Sequence, residues 1–117
     1  MKESEIRRRA KEFAIRIIET CDEVDMRKGR EVLVKQIIRS ATSIGANIHE
    51  ANYGASKADF INKLKIALKE CFETEYWLDI MYSTSCISQT VSEELLLLCG
   101  VIRRMLIKSI QTAQENI

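Results

Sequence analysis

The chain has 117 residues, of which 46% are apolar and 30% charged, and its formal net charge is +1. That length sets one domain with enough apolar residues for a core, and the near-neutral balance excludes a strong whole-chain pull toward nucleic acid. Proline is absent and glycine occurs four times, so little besides Gly45 and Gly100 can interrupt a long helix, and an all-α chain is expected.

The charge is unevenly placed. Residues 1–58 carry 12 Lys and Arg against 9 Asp and Glu, whereas residues 59–117 carry 6 against 8. The first half can therefore hold a local basic patch without requiring one. Cys21, Cys71, Cys86 and Cys99 show no C-x-x-C spacing, and three of them fall on apolar helical stripes. They read as small core residues in a reducing cytoplasm rather than as disulfides or metal ligands. No signal peptide is read before Ser4, and no apolar run approaches the roughly 20 residues needed to cross a bilayer. A cytoplasmic chain with no membrane partner is expected.

Taken in order, Ile6, Ala10, Phe13, Ile17, Cys21 and Val24 recur in steps of three and four, which predicts a first helix over about 4–24. Its outer face alternates Glu5, Arg8, Arg9, Glu12, Arg16 and Glu19 at spacings where opposite charges meet. The triplet Arg7-Arg8-Arg9 is a candidate phosphate contact, weighed against a solvated, self-paired face. Residues 25–29 make a polar break.

A second helix is expected over about 30–52, with Leu33, Val34, Ile37, Ile38, Ala41, Ile44, Ile48 and Ala51 as its buried stripe. Gln36, Ser40, Ser43 and Asn47 line one edge, where a buried polar group needs a hydrogen-bond partner. His49 has no second histidine or carboxylate pair at ligand spacing, so it reads as a structural or surface residue rather than a catalytic base.

After the turn Tyr53-Gly54-Ala55, Ser56 and Asp59 form a capping box that opens a third helix over about 57–82. The short turn makes helices two and three antiparallel neighbours. The expected core face is Phe60, Leu64, Ala67, Leu68, Cys71, Leu78 and Tyr82. Glu75 falls within it, which is costly unless the carboxylate is paired. Two outcomes are open for Glu75: a polar network with Ser40, Ser43 or Asn47, or a helix rotated enough for it to reach water. Ile66, Trp77 and Ile80 lie away from the core, and an outward tryptophan is a favoured interface anchor.

Thr90 and Glu93 repeat the capping-box spacing, so a fourth helix is expected over about 91–114, buried through Leu95, Leu98, Cys99, Ile102, Met105, Leu106, Ile110 and Ala113. Leu96, Leu97, Val101 and Ile107 fall outside that stripe, which favours burial on a second side. The expected fold is thus an all-α, antiparallel up-down-up-down four-helix bundle spanning residues 1–117 as one domain, with Ile66, Trp77, Ile80, Leu96 and Ile107 at an oligomer interface.

Arg39-Ser40, the run from Ser43 to Glu50, Ser56-Lys57-Ala58-Asp59-Phe60, Ile66-Ala67-Leu68 and the run from Glu73 to Leu78 together resemble a bacterial four-helix-bundle family. It includes proteins encoded in intervening sequences of large-subunit (23S) ribosomal RNA genes, and the accessory variability protein of diversity-generating retroelements looks like a relative. The resemblance covers nearly the whole chain. It implies a homopentamer with a central channel and, for the retroelement relatives, basic surfaces that bind nucleic acid and a reverse transcriptase. Ser43, Asn47 and Glu50 match a pattern that holds helix two against its neighbours. His49, Ala51 and the run Lys69-Glu70-Cys71 depart from the small residues common in the family, and the strongly basic surface is missing.

Two functional readings follow. One is a non-enzymatic homo-oligomeric scaffold that binds RNA or DNA weakly through Arg7, Arg8, Arg9, Arg27, Lys28 and Arg30, with repetition around an axis raising avidity. The other is a protein-interaction module with no nucleic-acid role. An enzyme is not expected, because no convergent nucleophile, base, metal set or phosphate loop is visible, and no cofactor is implied.

Overall fold

The computed structural model describes residues 4–116, so residues 1–3 and 117 of the expected domain lie outside the described residues. Four helices form: α1 Glu5–Asp22, α2 Glu31–Ala51, α3 Lys57–Ser83 and α4 Gln89–Glu115. A single 3-10 turn, Arg27–Gly29, precedes α2. No strand occurs among the described residues, and the arrangement is consistent with a four-helix bundle. Each helix packs on the next in the chain, α2 against α3 most extensively, and α1 also packs against α4. The result is a rod of about 50 × 24 × 22 Å. No helix among the described residues is long and apolar enough to cross a membrane.

Local chemistry sets the helix starts. Ser4 accepts from the Arg7 amide at 3.3 Å and Ser56 from the Asp59 amide at 3.1 Å, each satisfying an N–H that the first turn leaves free. The fourth helix departs from the expectation. It begins at Gln89 rather than Val91, because Ser88 and not Thr90 is extended and accepts from the Val91 amide at 3.1 Å. Glu93 instead takes a hydrogen bond from Gln89 one turn back. Between α1 and α2, Lys28 and Gly29 adopt left-handed backbone, with φ of 63° and 75°.

The core combines Phe13 and Ile17 of α1, Ile37, Ile44 and Ile48 of α2, Leu78 and Met81 of α3, and Leu95, Ile102 and Leu106 of α4. On α3 the buried set is Leu64, Ala67, Glu70, Cys71, Thr74, Leu78 and Met81. Leu64, Ala67, Cys71, Thr74, Leu78 and Met81 keep the alternating three-and-four spacing of a seam that faces a partner helix continuously. Tyr82, expected on this face, is 43% exposed. It lies one position past Met81, and that step turns it out of the seam. At the α1–α2 contact a Cβ added to Gly45 would lie 3.7 Å from the Ala10 Cβ, so small residues on both helices bring the two backbones close.

Candidate interaction surfaces

The seam between α2 and α3 consumes its own polar groups. Thr74 Oγ1 lies 2.8 Å from both Ser40 Oγ and the Glu70 carbonyl, and Ser40 donates to the Ile37 carbonyl at 3.2 Å, so two fully buried hydroxyls are satisfied inside the core. Arg39 reaches across from α2 to pair with Glu70 at 3.0 Å and also with Glu73. Glu73 in turn accepts from the Trp77 indole N–H at 3.2 Å. Among buried side chains of the described residues, no nitrogen or oxygen lacks a partner.

The expected network of Ser40, Ser43, Asn47 and Glu75 therefore does not form as one unit. Ser40 works with Thr74. Ser43 and Asn47 bond only to each other along α2, with Asn47 Nδ2 3.0 Å from Ser43 Oγ. Glu75 turns to α4 and accepts from Arg103 Nε at 3.3 Å, while the Arg103 guanidinium lies 5.7 Å from the centre of the Phe72 ring.

The basic candidates also separate. Arg8 pairs with Glu12 at 3.1 Å and Arg9 with Glu5 at 2.9 Å, the self-paired face that the i,i+4 spacing allows. Arg27 binds Asp25 through its Nε, 2.9 Å from both carboxylate oxygens, and those hydrogen bonds hold the Asp25 carboxyl below the usual range. Arg30 donates to the Thr84 carbonyl at 2.9 Å and ties the start of α2 to the end of α3. Lys28 is exposed. Arg7–Arg9 and Arg27–Arg30 lie at opposite ends of an 18-residue helix, about 27 Å apart at 1.5 Å per residue. They do not make one patch on a single chain.

Arg7 is different from its two neighbours. Its Nη2 lies 2.9 Å from His49 Nδ1; since a guanidinium only donates, the imidazole accepts there. The His49 ring is 5.3 Å from that of Tyr53. Among the described residues no three His, Cys, Asp or Glu side chains gather as a metal site. Burial, with Asp22 alongside, pushes the Cys21 thiol up to about 11, and contact with Cys71 and burial push the Cys99 thiol well above its ordinary value, so both stay neutral thiols.

Of the expected interface residues, Ile66 is 37% exposed, while Trp77, Ile80, Leu96 and Ile107 are half-buried. Trp77 packs partly against the core. The outermost apolar groups on α3 are instead Phe72 and Tyr76, at 53% and 56% exposure, with the Tyr76 and Trp77 rings edge to face at 5.2 Å. The sequence reading left both out. The signal was the seam of α3 itself: once Thr74 is placed inside, Tyr76 falls opposite.

A model of the 23S rRNA-intervening sequence proteins matches residues 2–108, which takes in α1 to α3 and most of α4. The chain belongs to this family. A crystal structure of a family relative points the same way: a protein of unknown function from the S23 ribosomal protein family of Bacteroides thetaiotaomicron VPI-5482 is 44% identical. It superposes with a TM-score of 0.85 over 90% of this chain and 97% of that one. No curated protein matches the chain. A solved protein of nearly the same extent thus shares this chain's fold.

Proposed function

We propose that this chain is a non-enzymatic scaffold that assembles with copies of itself through the outer face of α3. The observation that carries the reading is the exposure of Phe72 and Tyr76 on a helix whose opposite face is already filled by the core. Covering the exposed half of two such aromatic side chains removes apolar area worth about 1 kcal/mol each, and large aromatics are favoured anchors of interfaces. The proposed assembly is a homopentamer in the cytoplasm, as the family resemblance implies. Within each copy the proposed helix order is antiparallel. It is supported by bonds joining opposite helix ends: Arg7 to His49, Arg30 to Thr84, and Lys57 to the Asn116 carbonyl.

Native mass measurement of the purified protein tests this. About five times the 13.5 kDa chain mass is expected. A single-chain mass at micromolar concentration would overturn self-assembly and leave the same face to a different protein, which is the alternative reading.

Weak binding of RNA or DNA is a second activity of the same scaffold. It is favoured by Arg7 and Lys11, which stand one turn apart on α1, and for which no carboxylate partner occurs among the described residues. Arg8, Arg9 and Arg27 are engaged by Glu5, Glu12 and Asp25, so their charge is offset where they stand.

A further inference from the structure

The concave regions between the helices differ in the chemistry of their walls. Three of them bring carboxylates to the surface: Glu19 and Glu23 beside Cys86, Glu12 between α1 and α4, and Glu50 with Asp59 at the α2–α3 turn. A fourth, between Phe60 and Met105, is apolar with one lysine. The fifth lies between α1 and α2 and encloses about 280 Å³. Arg7, Lys11, Thr42 and His49 line it with polar side chains, Ala10, Ala14, Gly45 and Ala46 with small ones, and no acidic residue lines it.

We propose that this α1–α2 groove is a seat for a phosphate group, and that it receives the phosphodiester backbone of a single-stranded nucleic acid. It rests on the second activity proposed above and moves the contact from the arginine triplet and the 25–30 loop into the groove.

Three arguments carry it. First, a guanidinium, an ammonium and an imidazole from two helices surround one concave space. The two non-bridging oxygens of a phosphodiester each have more than one lone pair, so together they can accept from all three. Second, the lining residues Ala10, Ala14, Gly45 and Ala46 carry at most a methyl side chain, so a phosphate can approach the helix backbones closely. Gly45 leaves ordinary contact distance, 3.7 Å, even for an added Cβ against Ala10. Third, no carboxylate among the described residues pairs with Arg7 or Lys11. Arg7 is bonded to the His49 imidazole rather than to a carboxylate, in contrast to Arg8 and Arg9 one and two residues later.

A matched pair of double variants tests the assignment. Arg7→Ala/Lys11→Ala and Arg8→Ala/Arg9→Ala each remove two positive charges from the same helix, but only the first empties the groove. Binding is read by fluorescence anisotropy of a labelled ten-nucleotide RNA at low salt, with assembly mass recorded on the same samples. The groove variant is expected to bind at least tenfold more weakly, with the log–log salt slope reduced by about 1.4 for two lost contacts on a single strand. The outer-face variant is expected to stay within twofold, and both to keep the wild-type mass. Equal losses in the two variants, or a larger loss in Arg8→Ala/Arg9→Ala, would overturn the groove while leaving nucleic-acid binding standing. No retention of RNA by the wild type would overturn both. Two competitors separate the sources of the anion: the RNA is expected to be displaced by unlabelled single strands at far lower concentration than by inorganic phosphate. Stronger displacement by polyglutamate than by either would show the groove to be a peptide site and overturn the proposal.

Discussion

The two sides of α2 treat polar side chains in opposite ways. Toward α3, three polar side chains of α2 are engaged across the helix contact: Ser40 by Thr74, Arg39 by Glu70 and Glu73, and Glu50 by Lys63 at 3.1 Å. Toward α1, the groove leaves Arg7, Lys11 and His49 facing outward with no carboxylate among its lining residues. The difference teaches that conspicuous charge in this chain is a poor guide to function. Polar groups on the α3 side tie two helices together through ion pairs and hydroxyls, whereas on the α1 side Arg7 meets the His49 imidazole and no carboxylate among the groove's lining residues.

Breaking the α3 side should cost the most. Arg39→Ala removes the cation from Glu70, which is only 9% exposed; a loss of about 2–3 kcal/mol in unfolding free energy is expected from urea denaturation, as for a hydrogen bond to a charged group left unmade. Thr74→Val keeps the shape and deletes the hydroxyl that joins Ser40 to α3, and about 1 kcal/mol should be lost. On the α1 side the comparison reverses. Lys11→Ala, at an exposed position, should change stability by less than about 0.5 kcal/mol while weakening retention of RNA. A destabilisation as large as that of Arg39→Ala would erase the distinction between the two sides.

The cysteines sharpen the same contrast at smaller scale. Cys21, Cys71 and Cys99 are buried and Cys86 is half-buried beside Thr84. One thiol of four should react quickly with a disulfide reagent under native conditions. Because the Cys21 thiol is raised to about 11 from its ordinary 9.0, its neutral form contributes stability below pH 9. That contribution should fade as the pH climbs from 9 toward 11, since the unfolded thiol ionises first. A midpoint of denaturation that stays level over this range in the wild type, against a Cys21→Ala control, would contradict it.

Much of this was legible in the chain. Four helices follow from period-3.6 stripes and the absence of proline, and the cap at Ser56 from its spacing to Asp59. The start of α4 was not, because Ser88 and Thr90 are both competent caps and only the extended backbone at Ser88 decides between them. The facing of α3 was misread for a related reason. A threonine counts as polar in a periodicity, yet Thr74 is buried through a bond to Ser40, 34 residues away. That error placed Glu75 inside, left Tyr82 in the core and hid Phe72 and Tyr76. The groove was illegible for the same cause: Arg7 and Lys11 share a face by their spacing, but His49 joins them only through packing of one helix on another.

Sedimentation of Phe72→Glu/Tyr76→Glu beside the wild type tests the central claim most directly. Both positions are more than half exposed within a single chain, so the account predicts unchanged helix content and a fall from the assembled mass to that of one chain. An assembly that persists at wild-type mass with two carboxylates on that face would contradict it.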